Sequence, residues 1–181
     1  MREVQIVLSP QLTMAIKRVA VLEIEGEWVA GVFTSFGLYA TSLPRRTRKE
    51  AIQAVNAEGM AESQQSEHRE VLEAVYAVAN GQDHPVLRTI RLDFSDLTKK
   101  QRKVMEETLK IPRGKTATYG TVASRARIPG GARFVGNVMA QNRLCPIVPC
   151  HRVVATKGLG GYGSGLDKKA EILALEGAFA D

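Results

Sequence analysis

Cysteine is scarce in this chain: only Cys145 and Cys150 occur in 181 residues. Neither belongs to a CxxC pair or to a cysteine and histidine cluster with metal-ligand spacing, which argues against a disulfide-stapled or zinc-built fold. Long apolar runs are missing as well. No stretch approaches the roughly 18 apolar residues of a membrane helix, and Met1-Arg2-Glu3-Val4-Gln5 lacks the apolar core of a signal peptide. The expectation is an intracellular protein, cytoplasmic or nucleoid-associated, with no membrane partner. What is present is ordinary for a globular protein, with 44% hydrophobic and 24% charged residues. The length suits one large domain or two small ones, each with its own core.

The formal charge of +6 is unevenly placed. Residues 1–100 carry 12 Lys and Arg against 13 Asp and Glu, a net of −1; residues 101–181 carry 13 against 6, a net of +7. A basic second half beside a neutral first half suggests a polyanion-binding surface confined to the second half. A plain solvated charged face is the alternative on charge alone.

The first eighty residues read as strands, tight turns and then helices. Val4 to Leu8, Val19 to Ile24, Trp28 to Phe33 and Gly37 to Thr41 have strand composition, and Glu25-Gly26-Glu27 forms a hairpin turn. The basic run Arg45 to Lys49 leads into helical spacing through Ile52 and Val55, and Glu67 to Ala79 forms a helix stopped at Asn80-Gly81. Residues 1–81 are thus expected to form a small antiparallel sheet with helices, residues 82–94 a linker, and residues 95–181 a second, mostly helical domain. The fold class is α/β, of the α+β kind.

In the second domain, Thr98 with Gln101 has the form of a capping box and opens a helix that ends before Pro112. Two shorter helical stretches, Gly120 to Arg127 and Ala132 to Asn142, flank Ile128-Pro129-Gly130-Gly131. Two short helices around a glycine turn on a basic surface outline a helix-turn-helix. A simple packed helix pair has the same outline.

The sharpest feature is Ile147-Val148-Pro149-Cys150-His151-Arg152-Val153-Val154, which places Cys-His-Arg inside an apolar run. A lone buried cysteine is commonly inert, because reactivity needs surroundings that favour thiolate over thiol. Here His151 offers a base and Arg152 a fixed positive charge. In an extended segment, adjacent side chains point to opposite faces, so activation of Cys150 by His151 must run through a bridging water or a turn. The same adjacency argues against a cysteine hydrolase, whose base must face the sulfur.

Pro149-Cys150-His151-Arg152-Val153 resembles the active-site signature of the O6-alkylguanine-DNA alkyltransferases. The resemblance extends to Asn142, eight residues before the cysteine, Arg133, seventeen before, Tyr119 within Thr116 to Gly120, Glu176 within Leu175-Glu176-Gly177, and the loop Gly160-Gly161-Tyr162. It covers about residues 90 to 177. The fold it implies is an RNase H-like N-terminal domain followed by a winged helix-turn-helix-like domain that carries the acceptor cysteine.

The resemblance implies DNA repair by direct reversal. A water-linked relay of Cys150, His151 and Glu176 yields the nucleophile, Tyr119 gives a proton to the base, and Asn142 links the helix-turn-helix to the active-site strand. The nucleotide must leave the stack to reach the thiol. Arg133 would fill the gap, with Gly131, Ala132 and Gly136 permitting close approach in the minor groove. Arg125, Arg127 and Arg143 are expected to contact phosphate. Val153, Val154, Gly160, Gly161, Tyr162, Gly163, Ser164 and Lys169 line the base pocket.

Some relatives carry a zinc site in the N-terminal domain, whereas this chain has no cysteine before residue 145; no metal and no cofactor are expected. The expected partner is double-stranded DNA containing O6-alkylguanine, met by a monomer. Three features depart from the family pattern: Phe134 on the DNA-facing helix, the order Tyr162-Gly163-Ser164-Gly165, and Cys145 where Asn-Pro is common. Cys145 reads either as a bystander or as an oxidation partner of Cys150. The other functional reading is a DNA-binding regulator or damage-recognition module without chemistry, which leaves Cys150 and Glu176 unexplained.

Overall fold

The structure is a computed structural model that describes residues 5–7 and 16–178. Val4 and Leu8, the ends of the first expected strand, lie outside the described residues.

The chain divides into two compact units. Of the described residues, the first holds those up to 79 together with 83–96 and 143–147. It is built on a five-stranded sheet of β1 (Gln5–Val7), β2 (Arg18–Ile24), β3 (Glu27–Thr34), β4 (Gly37–Thr41) and β5 (Arg91–Asp93), in the order β1-β5-β4-β3-β2. Strands β2 and β3, rich in β-branched and apolar residues, are the longest of the sheet, at 7 and 8 residues. They are joined at Glu25-Gly26, both in the left-handed conformation that a two-residue hairpin turn requires.

Helix α1 (Arg48–Ala54) begins at a capping box, in which Thr47 and Glu50 satisfy each other's backbone N–H groups. Ala51 and Val55 pack with Val19, Ala30, Val32 and Ala40 in one hydrophobic cluster. Helix α2 (Ser66–Ala79) approaches the intervening residues of β3. A Cβ on Gly31 would lie 3.0 Å from Leu72 and from Phe33, so glycine there admits the helix. The pairing of β3 with β4 skips Tyr39, which sets Leu38 opposite Phe33 and Ala40 opposite Val32. This bulge turns two residues of one short strand to opposite faces of the sheet.

Two expectations are corrected here. The sheet is mixed rather than antiparallel, because β5 runs parallel to both β1 and β4. Residues 91–93 fall within the stretch expected as a linker, yet they form an inner strand with Leu92 fully buried. Ile90, Leu92 and Phe94 supply the apolar surface that draws this segment into the sheet. Within the same stretch, Pro85–Arg88 forms a 3₁₀ turn capped by His84.

Of the described residues, the second unit holds 80–82, 97–142 and 148–178. Helix α3 (Lys99–Leu109) starts at the Thr98 and Gln101 capping box read from the sequence. It packs with α4 (Tyr119–Arg125) and α5 (Ala132–Ala140) around Val104, Met105, Val122, Val135 and Val138. Strand β6 (Ala117–Thr118) pairs in parallel with β7 (Val153–Val154), and α6 (Leu166–Leu175) closes the unit, burying Ile172 and Leu173. Among the described residues, no helix is long and apolar enough to cross a membrane.

Candidate active site

Cys150, His151 and Arg152 form a single 3₁₀ turn between Pro149 and β7. A turn, not an extended strand, therefore carries the cysteine and histidine, and neighbouring side chains are no longer forced to opposite faces. All three are buried, His151 completely. The Val153 N–H donates to the Cys150 carbonyl and closes the turn. Pairing of β7 with β6 then fixes the direction in which the chain leaves it.

The carboxylate that meets this turn comes from Glu176, the residue that caps the C-terminus of α6. His151 Nε2 lies 3.1 Å from Glu176 Oε1. Arg152 donates to the same carboxylate twice, Nε to Oε2 at 2.8 Å and Nη2 to Oε1 at 2.6 Å, and its Nη1 donates to the Ile111 carbonyl at 2.7 Å. Burial alone would push the Glu176 carboxyl up. The hydrogen bonds from His151 and Arg152, with the charge of Arg152, outweigh it and hold the carboxyl at about 2. Burial holds His151 below its ordinary value despite the carboxylate, so the imidazole is neutral at pH 7. Its Nδ1 is buried and has no hydrogen-bond partner among the described residues.

Arg113 supports the carboxylate from behind. It donates from Nη2 to the Leu175 carbonyl at 2.9 Å and from Nε to the Gly81 carbonyl at 2.5 Å, which ties the end of α6 in place.

Tyr119 begins α4 directly after β6, and Thr118 caps that helix by accepting from the Thr121 N–H. The Tyr119 hydroxyl donates to the Gly161 carbonyl at 3.4 Å, against the loop that follows β7. Gly160 is in the left-handed region at φ +71°, and a Cβ there would lie 2.8 Å from the Tyr119 ring. Glycine is thus required twice over, by conformation and by contact. On the other side of the ring, a Cβ on Gly136 of α5 would come no closer than 4.0 Å.

Lys169 projects from α6 into the same region, fully buried. Its Nζ donates to the carbonyls of Val153 at 2.7 Å, Leu159 at 2.6 Å and Gly161 at 3.1 Å. Val154 and Tyr162 are half-buried, while Gly163 and Ser164 are exposed. Asn142 follows Gln141, the C-cap of α5, and its Nδ2 donates to the Val148 carbonyl at 2.9 Å, two residues before Cys150.

Arg125, Arg127, Ala132 and Arg133 are exposed around the turn between α4 and α5, and Gly131 is buried against Ile128. Arg143, expected at phosphate, makes its contacts within the first unit. Its guanidinium stacks 4.0 Å from the Tyr39 ring centroid and donates to the Tyr39 carbonyl at 2.7 Å, the Asp93 carbonyl at 3.0 Å and Asp96 at 2.5 Å. A side chain so engaged clamps the first unit. The sequence named Arg152 only as a fixed positive charge beside Cys150, without its anion, and gave Arg113 and Ile111 no place in the site. The signal for Arg152 was present, since a guanidinium inside an apolar run demands a buried anion.

The second unit thus presents two packed helices with exposed arginines and, in the turn before β7, a buried cysteine next to a histidine held by a carboxylate. These features define a class of protein built on a buried thiol beside a histidine and carboxylate pair. Residues 99–178 match the family model described as 6-O-methylguanine DNA methyltransferase, DNA binding domain. The methylated-DNA--protein-cysteine methyltransferase of Methanocaldococcus jannaschii is 32% identical over 160 residues, 86% of this chain and 92% of that protein. The chain belongs to this family.

A protein of the same name from Mycolicibacterium paratuberculosis is 47% identical over 77 residues, 42% of this chain. The chain spans about half the length of the mycobacterial relatives it matches. Among solved structures, Mycobacterium tuberculosis OGT in complex with DNA is similar at a TM-score of 0.64 and 25% identity, covering 88% of this chain and 92% of that one.

Proposed function

We propose that this protein repairs DNA by transferring the alkyl group of O6-alkylguanine irreversibly to Cys150, acting once per molecule. The observation that carries the reading is the buried turn in which His151, held at Nε2 by the Glu176 carboxylate, follows Cys150 directly. Glu176 fixes the imidazole with Nε2–H toward the carboxylate, leaving Nδ1 to accept a proton. Among the described residues that nitrogen has no hydrogen-bond partner, which suits a water linking it to the thiol.

The thiol proton passes to His151 through that water, and Sγ attacks the alkyl carbon in line. The S–C bond forms as the C–O6 bond breaks, and the electron pair departs onto the guanine. Tyr119 supplies the proton that the base takes up, its hydroxyl lying at the pocket loop. The product thioether has no route to hydrolysis, so each molecule reacts once.

Helices α4 and α5 act as the helix-turn-helix, with Arg125 and Arg127 on phosphate and Arg133 entering the space left by the flipped nucleotide. Flipping costs roughly a few kcal/mol, offset by these contacts. Gly131, Ala132 and Gly136 keep that helix face low for the minor groove. Asn142 couples α5 to Val148 and hence to Cys150. Val153, Val154, Gly160, Gly161, Tyr162, Gly163 and Ser164 form the base slot, and Lys169 holds its backbone. The protein acts as a monomer on double-stranded DNA, in the cytoplasm or nucleoid.

The test is intact-mass spectrometry after mixing the protein with a short duplex containing one O6-methylguanine, with peptide mapping. One methyl per chain, on Cys150 and absent in Cys150→Ala, is the expected result. An unchanged mass with the duplex bound but unrepaired would replace the reading with a recognition module.

A further inference from the structure

Lys169 is a buried charge that neither the relay nor the proton donor uses. It is fully buried, and the three donors of its ammonium go to the carbonyls of Val153, Leu159 and Gly161. Carbonyl dipoles solvate a cation but do not neutralise it. Among the described residues, no carboxylate forms an ion pair with Lys169. Its neighbours on α6, Lys168 and Glu171, pair with each other at the surface, and Asp167 lies exposed in the first turn. Glu176 is committed to His151 and Arg152.

From the loop after β7, Lys157 is exposed and Tyr162 half-buried, and Tyr119 faces the loop from α4. The turn at Cys150–Arg152 remains. Lys169 grips the carbonyl of Val153, the residue whose N–H closes that turn onto Cys150.

We infer that Lys169 is the positioning cation of the nucleophile, its buried charge favouring the thiolate form of Cys150, in addition to holding the pocket loop. A buried ammonium without an anion is costly, and formation of the thiolate relieves that cost. Burial pulls the Lys169 ammonium down to about 8, and a negative Cys150 opposes this pull. The same positive charge bears on His151 and lowers it. A neutral His151 and a thiolate-favouring lysine are complementary. The imidazole is free to take the thiol proton, and the sulfur retains a counter-charge once the proton has gone.

The inference rests on the alkyl-transfer reading only for its purpose, and its test needs no DNA. The full-length protein is treated with iodoacetamide across pH 5 to 10, and the Cys145 and Cys150 adducts are separated by peptide mass. In Lys169→Met the reactive thiolate of Cys150 should appear about one pH unit higher than in wild type, or roughly tenfold slower alkylation at pH 7. Lys169→Arg, which keeps the charge, should restore the wild-type profile. If Lys169→Met is folded and leaves the profile unchanged while methyl transfer from the duplex falls, Lys169 only ties the loop and the inference is overturned.

Should Lys169→Met not fold, the coupling is read from the other side. A nuclear magnetic resonance titration of the Lys169 ammonium should give a lower value in Cys150→Ser than in wild type, because the interaction is reciprocal. Equal values would overturn the inference. A wild type that takes no methyl from the duplex removes the alkyl-transfer reading alone, while a shifted thiol profile in Lys169→Met still supports the lysine and thiolate pair.

Discussion

Arg152 and Glu176 make two hydrogen bonds, 2.8 and 2.6 Å, deep in the second unit, and the oxygen at 2.6 Å also faces His151. One carboxylate therefore neutralises a buried guanidinium and orients the imidazole beside Cys150. Replacing it with a neutral group of the same shape separates the two tasks. Glu176→Gln leaves Arg152 buried without an anion, which costs about 3–5 kcal/mol. Chemical denaturation should show that loss, and single-turnover methyl transfer by whatever remains folded should fall by at least tenfold. A variant of wild-type stability would remove the carboxylate from the centre of the site.

Acid should unfold the protein in a window set by the same pair. Glu176 is depressed from an ordinary 4.5 to about 2, so the unfolded chain binds the proton more readily than the folded one. This contribution is complete above about pH 4.5 and is lost as pH falls toward 2. His151, lowered by burial, acts in the same sense below its ordinary 6.5, where only the unfolded chain gains the proton. Melting temperature should decline from pH 6.5 downward, most steeply below 4.5. Glu176→Gln should flatten the lower limb.

Gly160→Ala adds a methyl 2.8 Å from the Tyr119 ring at a residue with φ +71°. Strain and contact together should cost about 1–3 kcal/mol, and the ring must move from the loop. Methyl transfer should slow more than duplex binding weakens, since the hydroxyl rather than the surface is displaced. Equal losses in both would place Tyr119 outside the chemistry.

Arg143 and Arg125 offer a paired test of which arginines meet phosphate. Arg143→Ala removes the stack on Tyr39 and hydrogen bonds to Tyr39, Asp93 and Asp96, and should lower stability by about 1–3 kcal/mol. The salt dependence of duplex binding should not change. Arg125→Ala should leave stability within about 0.5 kcal/mol and reduce the log–log salt slope by about 1. The reverse pattern would return Arg143 to the DNA-binding surface.

Asn142→Ala removes the donor to the Val148 carbonyl, two residues ahead of Cys150. The expected outcome is duplex binding near wild type with transfer slowed about tenfold, measured by quench-flow on the O6-methylguanine duplex. An unchanged rate would make this link dispensable.

Local signals in the sequence were decisive where structure is local. Thr98 with Gln101 marked the start of α3, Glu25-Gly26 the hairpin, and Asn80-Gly81 the end of α2, because caps and turns are settled within a few residues. The spaced residues from Tyr119 to Glu176 identified the family, and Cys-His-Arg in an apolar run marked the site. The tertiary structure decided what depends on distant partners. Arg91–Asp93 became an inner strand only because β1 and β4 offered edges on both sides. Arg143 became a clamp because Tyr39, Asp93 and Asp96 converge on it from residues far away in the chain. Arg152 shares Glu176 with His151 because a 3₁₀ turn replaced the extended strand. No periodicity encodes such meetings: a charge buried in a folded protein is defined by what surrounds it, and only packing brings those surroundings together.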